Sequence, residues 1–108
     1  MKDLDHLIAK VEAGGVTELH FNAAAQVVGG EIYQWRKTAY EAYAGSLDAA
    51  KRLHEAVLPG WEWRLRDAGR AWVWRTLTDQ KYSDGDTDIT ARAWLLAILR
   101  ALKGAKHD

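Results

Sequence analysis

The sequence has no cysteine, no net charge and no long apolar run, and large aliphatic side chains are few for its 108 residues. Without cysteine there is no disulfide framework, no thiolate nucleophile and no Cys-ligated zinc site, so stability must come from packing, and a reducing compartment fits. Fifteen Lys/Arg balance fifteen Asp/Glu, which removes the strong overall field that marks many nucleic-acid or membrane-surface proteins. The best apolar stretch, Ala93 to Leu99, falls far short of the ~20 residues of a membrane span. The opening Met1-Lys2-Asp3-Leu4-Asp5-His6 is acidic and amphipathic, with no apolar signal-peptide core. A single cytoplasmic domain over 1–108 is expected.

What is present is aromatic. Of fifty-two apolar residues eighteen are alanine, which has little surface to bury, whereas six are tryptophan. A buried aromatic removes roughly 150–250 Å² from water, and at about 25 cal/mol/Å² a few of them offset the shortage of Leu, Ile and Val. The tryptophans are therefore read first as core.

Leu4, Leu7, Ile8 and Val11 have helical spacing, with Asp3 as cap and Gly14-Gly15 as stop. Thr17 caps a second helical stretch that runs to Gly29-Gly30, giving a helical N-terminal segment over 1–30. Segment 31–36, Glu31-Ile32-Tyr33-Gln34-Trp35-Arg36, has the β-branched and aromatic mix of a strand, and 40–45 reads as a loop. Ser46 caps a helix in which Leu47, Ala50, His54, Val57 and Leu58 share a face, ended by Pro59-Gly60. Trp61 to Arg66 then alternates at period two, and after a turn at Asp67-Ala68-Gly69 the segment from Arg70 to Thr76 returns as the second strand of a hairpin. Segment 80–88 is polar and acidic. Thr90 caps a last helix with Ala91, Trp94, Leu95, Ile98, Leu99 and Leu102 on one face. Gly104 is expected to end that helix, and Arg100 and Lys103 favour its negative end.

The turn decides the hairpin register. A two-residue turn at Ala68-Gly69 sets Trp63 opposite Trp74 and gathers four tryptophans on one face. A three-residue turn with a left-handed Gly69 moves Trp72 and Trp74 to the side of Glu62, Arg64 and Arg66. The second is favoured, because alanine is a poor first residue of a primed turn. It makes both faces partly aromatic and calls for helices on both.

The strings Ser46-Leu47-Asp48-Ala49-Ala50 and Leu58-Pro59-Gly60-Trp61-Glu62-Trp63, then Gly69, Val73-Trp74 and the helix Ala91-Arg92-Ala93-Trp94-Leu95-Leu96-Ala97-Ile98-Leu99-Arg100-Ala101, resemble the small α-β-α sandwich proteins of phages and prophages. The opening segment, Leu4 to Ala13, is similar to the start of their longer members. The resemblance covers most of the chain and implies a sheet between helices and a phage origin. It implies no activity and brings no catalytic residues. Ile89-Thr90 departs from the proline expected before the last helix.

Three groups of residues are candidates for function. Asp84, Asp86 and Asp88 alternate as calcium ligands do, but counted from Asp84 the sixth position is Ile89 and the twelfth Leu95, where a calcium loop needs Gly and Glu. An acidic loop that meets a basic partner is the better reading. Arg64, Arg66, Arg70 and Arg75 interleave with Trp61, Trp63, Trp72 and Trp74, a mixture that holds phosphates and stacks bases. Against it stands the charge: residues 1–45 carry four basic and six acidic side chains and residues 46–108 eleven and nine. Tyr33, Trp35, Tyr40 and Tyr43 are of hot-spot type, or else cover a sheet edge.

Nothing in the pattern points to catalysis. His6, His20, His54 and His107 lack metal-ligand spacing, and His54, on an apolar helix face, reads as a hydrogen-bonded core residue. Ser46 and Ser83 are cap and turn, and the Gly-Gly pairs lack the strand, spacing and Lys of a phosphate loop. The expectation is an α+β domain: a short antiparallel sheet built on hairpin 61–76, with strand 31–36 added, and a helix-hairpin-helix core over 46–104. The expected function is a phage accessory protein, without cofactor or metal, that binds a host protein or nucleoprotein complex. Inhibition of a host defence complex such as a CRISPR effector is one form, with Asp84, Asp86 and Asp88 competing for a basic groove and the 33–43 aromatics anchoring the contact. A nucleic-acid-binding regulator using the four arginines, or a virion assembly component, are the alternatives.

Overall fold

The computed structural model describes residues 2–66, 70–74, 81–83 and 90–107. Their order is α1 (Lys2–Ala13), α2 (Glu18–Val28), α3 (Gly30–Gln34), α4 (Arg36–Tyr43), α5 (Leu47–Val57), β1 (Glu62–Arg66), β2 (Arg70–Trp74), β3 (Lys81–Ser83) and α6 (Thr90–His107). The class is α+β, with helices packed on a short antiparallel sheet ordered β1-β2-β3.

Two helix starts, those of α2 and α5, follow side-chain capping, whereas Thr90, expected to cap α6, is the first residue of that helix. Thr17 Oγ1 accepts from the His20 N–H at 3.2 Å and Ser46 Oγ from the Ala49 N–H at 3.1 Å, so each satisfies a donor that the first turn leaves without a partner. α1 starts one residue before Asp3, which is a first-turn residue here and not the cap.

Segment 31–36 is not a strand, and 40–45 is not a plain loop; α3 and α4 occupy them. Gly29 turns the chain with φ 73°, ψ −162°, a conformation nearly restricted to glycine. Beyond it Ile32, Ala39, Ala42 and Tyr43 are buried, with Trp35 and Tyr40 half-buried. Those positions repeat at helical spacing across the kink at Trp35. Burial of that stripe overrides the β preference of Ile, Tyr and Trp, which reflects packing more than backbone.

In the hairpin, Glu62 pairs with Trp74, Arg64 with Trp72 and Arg66 with Arg70. This is the three-residue-turn register; the turn itself, 67–69, lies outside the described residues, as does the end of the expected hairpin at 75–76. One face carries Trp63, Leu65, Ala71 and Val73, and α6 lies against it: Ala71 and Val73 are buried, and the rings of Trp63 and Trp94 are 4.6 Å apart. β3 adds a strand within the stretch expected to be a polar run.

α6 is central. The sheet covers one side of it, and α1, α4 and α5 pack on the others, which explains why every residue from Ala93 to Leu99 is buried. Among the described residues the helical layer on the sheet is thus α6, on one face, in place of the helices expected on both, and α5 packs on α6 and α4. It continues through Gly104 to His107 instead of stopping at the glycine. Ion pairs Glu12–Arg100 and Asp5–Lys103 tie α1 along it.

Candidate binding surface on the outer face of the sheet

Alternation along β1 and β2 assigns the second face of the sheet to Glu62, Arg64, Arg70, Trp72 and Trp74. Glu62, Arg64 and Arg70 are exposed; Trp72 and Trp74 are half-buried. The register sets Arg64 directly across from Trp72, and Lys81 of β3 across from Trp74 on its other side. Arg66 and Arg70 are register partners at the hairpin end of the two strands. Among the described residues Arg64 and Arg70 take part in none of the ion pairs, which join Arg52 to Glu41, Arg100 to Glu12 and Lys103 to Asp5.

Chemically, this face offers two tryptophans at backbone positions about 6.7 Å apart along one strand, bordered by guanidinium groups that fork onto anionic oxygens. Four cationic positions, Arg64, Arg66, Arg70 and Lys81, against the single carboxylate of Glu62 make it locally basic in a chain with no net charge. Lys81 was hidden from sequence reasoning because its segment reads as a polar loop. Arg75 lies outside the described residues.

The other aromatic group is divided between core and surface. Tyr43 is only 4 % exposed, and Tyr40 packs its ring 5.5 Å from Phe21 and 5.7 Å from Tyr43. These two hold α4 to α2, Tyr43 from within the core and Tyr40 from a half-buried position. Tyr33 is 37 % exposed, with the Arg36 guanidinium 4.1 Å over its ring, and Trp35 is half-buried against the core. Asp84, Asp86 and Asp88 lie outside the described residues.

No constellation for acid–base or nucleophilic chemistry forms among the described residues. His54 is buried with both ring nitrogens in hydrogen bonds. A cleft of about 270 Å³ between α1, α3 and α6 is lined by Leu4, Ile32, Leu102 and the segment 29–31, whose sole ionisable group is Glu31. No group of three or more His, Asp or Glu suited to a metal occurs among the described residues, and none of the described helices is long and apolar enough to cross a membrane. Compared with known proteins, the chain matches no family model, no curated protein and no solved structure.

Proposed function

We propose that the chain works by binding, without catalysis, and that the outer face of the sheet is a surface for single-stranded nucleic acid. The observation that carries this is the joint presence of Trp72 and Trp74 with Arg64, Arg70 and the register positions of Arg66 and Lys81 on one face. Bases stack on indoles for about 1–3 kcal/mol each irrespective of sequence, while arginine contacts phosphate. The three-stranded face suits unpaired bases, which can splay onto it, better than a duplex, whose bases are stacked inward. The resemblance to small phage proteins supports an accessory role in the cytoplasm of a host cell.

Fluorescence anisotropy with a labelled oligothymidine tests it. Binding is expected at low salt, falling as salt rises, and weakened at least tenfold in an Arg64→Ala/Arg70→Ala double variant. No binding at low salt, or an unchanged double variant, overturns the reading. A protein partner is the second reading, supported by the exposed Tyr33 with Arg36 stacked on it; binding of a partner protein lost in Tyr33→Ala and kept in the arginine double variant would favour it.

A further inference from the structure

We infer that His54 is a pH-operated latch joining α5, the entry to β1 and α6. The residue is 2 % exposed, and its ring bridges two distant parts of the chain. The indole Nε1–H of Trp94, on α6, donates to His54 Nδ1 at 3.3 Å, and His54 Nε2 lies 2.9 Å from the carbonyl oxygen of Trp61. Trp61 immediately precedes β1, and Trp94 in turn packs its ring 4.6 Å from Trp63 of that strand.

The partners dictate the protonation state. An indole N–H only donates and a carbonyl only accepts, so Nδ1 carries the lone pair and Nε2 the proton: the neutral ring fits both bonds at once. An imidazolium has a proton on each nitrogen. Its Nδ1–H would meet the Trp94 N–H donor to donor, losing that bond in a buried site while only the Trp61 contact survives. The latch therefore closes on the neutral ring and opens when the ring is charged.

Burial pushes the His54 pKa below its ordinary value of 6.5, against the raising effects of the Trp61 hydrogen bond and of the Glu55 and Glu62 carboxylates. Those carboxylates are the charges that act on the ring from α5 and β1. From α6 the group that faces it is the uncharged Trp94 indole, and the α4 carboxylate beside α5, Glu41, is paired with Arg52. Acid is thus expected to loosen the β1 end of the sheet from α6, whatever the outer face binds.

Hydrogen exchange followed by NMR on the whole chain tests the latch. The protection factor of the Trp94 indole N–H should be steady above about pH 7 and fall by up to about tenfold per pH unit below 6.5, since opening takes up one proton; in His54→Gln it should be independent of pH. Constant protection in the wild type from pH 7.5 to 5, or an equal slope in His54→Gln, overturns the inference. The ring ¹⁵N shifts of wild-type His54 at pH 7.5 give a test independent of the variant's folding: a protonated Nε2 with an unprotonated Nδ1 is expected, and the opposite tautomer or a charged ring refutes it.

Discussion

The guanidinium of Arg92 lies 4.0 Å above the ring of Tyr43, and its Nε–H donates to the Tyr43 carbonyl at 3.0 Å. Tyr43 ends α4, so this cation meets a helix C-terminus, where the last carbonyls lack partners inside the helix and the dipole favours positive charge. One residue of α6 thereby fixes both the ring and the backbone of the last residue of α4. Arg92→Ala should lower stability by roughly 1–3 kcal/mol, the sum of a charge-assisted hydrogen bond and a partly desolvated cation–π contact. Arg92→Lys should recover less than half, since an ammonium lacks the planar group that serves both contacts. Urea unfolding midpoints check this; a loss below 0.5 kcal/mol for alanine would show that the contact contributes little.

The same ring reaches in another direction. Tyr43 Oη accepts the Val16 N–H at 2.9 Å, supplying a partner to a backbone donor in the link between α1 and α2. Tyr43→Phe removes that acceptor and leaves a half-buried N–H unpaired, for an expected cost of about 1–2 kcal/mol. Tyr33→Ala, on the surface, should change stability by no more than about 0.5 kcal/mol. Equal costs for the two would contradict the division of these aromatics between core and surface.

Local rules made much of this legible. Thr17 and Ser46 are caps in fact as in pattern, and the preference for a left-handed glycine in the hairpin turn led to the register that pairs Arg64 with Trp72. The failures came where tertiary packing outweighed local preference. Ile32, Tyr33 and Trp35 favour strand by type, yet the stripe from Ile32 to Tyr43 has helical spacing, a signal present in the sequence and outvoted by residue type. Leu47 has the spacing of the inner face of its helix but is exposed, because Ala49, Ala50, Leu53 and His54 fill that side. For the site, the Arg/Trp alternation was visible, but its joining with Lys81 needed a third strand of only three residues, too short for periodicity to register. The fate of Tyr40 and Tyr43 depended on Phe21 and Arg92, which no local pattern connects to them.

Global stability should depend on pH through His54. Its folded pKa is lowered, with burial the chief cause, so between that value and 6.5 the unfolded chain binds more protons than the folded one. The His54 contribution is therefore complete above about pH 7 and declines as pH falls through that window, with a slope of at most about 1.4 kcal/mol per pH unit for one proton. Unfolding free energies at pH 7.5, 6.5 and 5.5 in wild type and His54→Gln isolate this share; parallel lines for the two proteins would remove His54 as its source.

Gly29 offers a test of the break that creates α3. At φ 73°, ψ −162° a side chain is strained whatever the space, and a Cβ there would still find its nearest neighbour, the Gln26 carbonyl oxygen, 4.0 Å away. Gly29→Ala should then cost about 1–3 kcal/mol from backbone strain alone. Gly60, at φ 83° with open space where a Cβ would stand, also lies at positive φ, and Gly60→Asn, a residue that tolerates such φ, should cost less. Thermal unfolding of the two variants ranks them, and a harmless Gly29→Ala would mean that the α2–α3 junction readjusts.

The outer face of the sheet should separate stability from binding. Arg70 opens β2 and is exposed, and substitutions at such surface positions usually change stability by no more than about 0.5 kcal/mol. Arg70→Glu is therefore expected to unfold at nearly the same denaturant concentration as wild type. The same change removes one cation and adds one anion beside Trp72, so affinity for single-stranded nucleic acid should drop at least tenfold at low salt, and the dependence of binding on salt should flatten as fewer counterions are released. A residue whose charge reversal spares the fold and weakens binding is positioned for a partner. Should Arg70→Glu weaken the fold and leave binding intact, the arginine would belong to the sheet's own structure and the outer face would lose its claim as the binding surface.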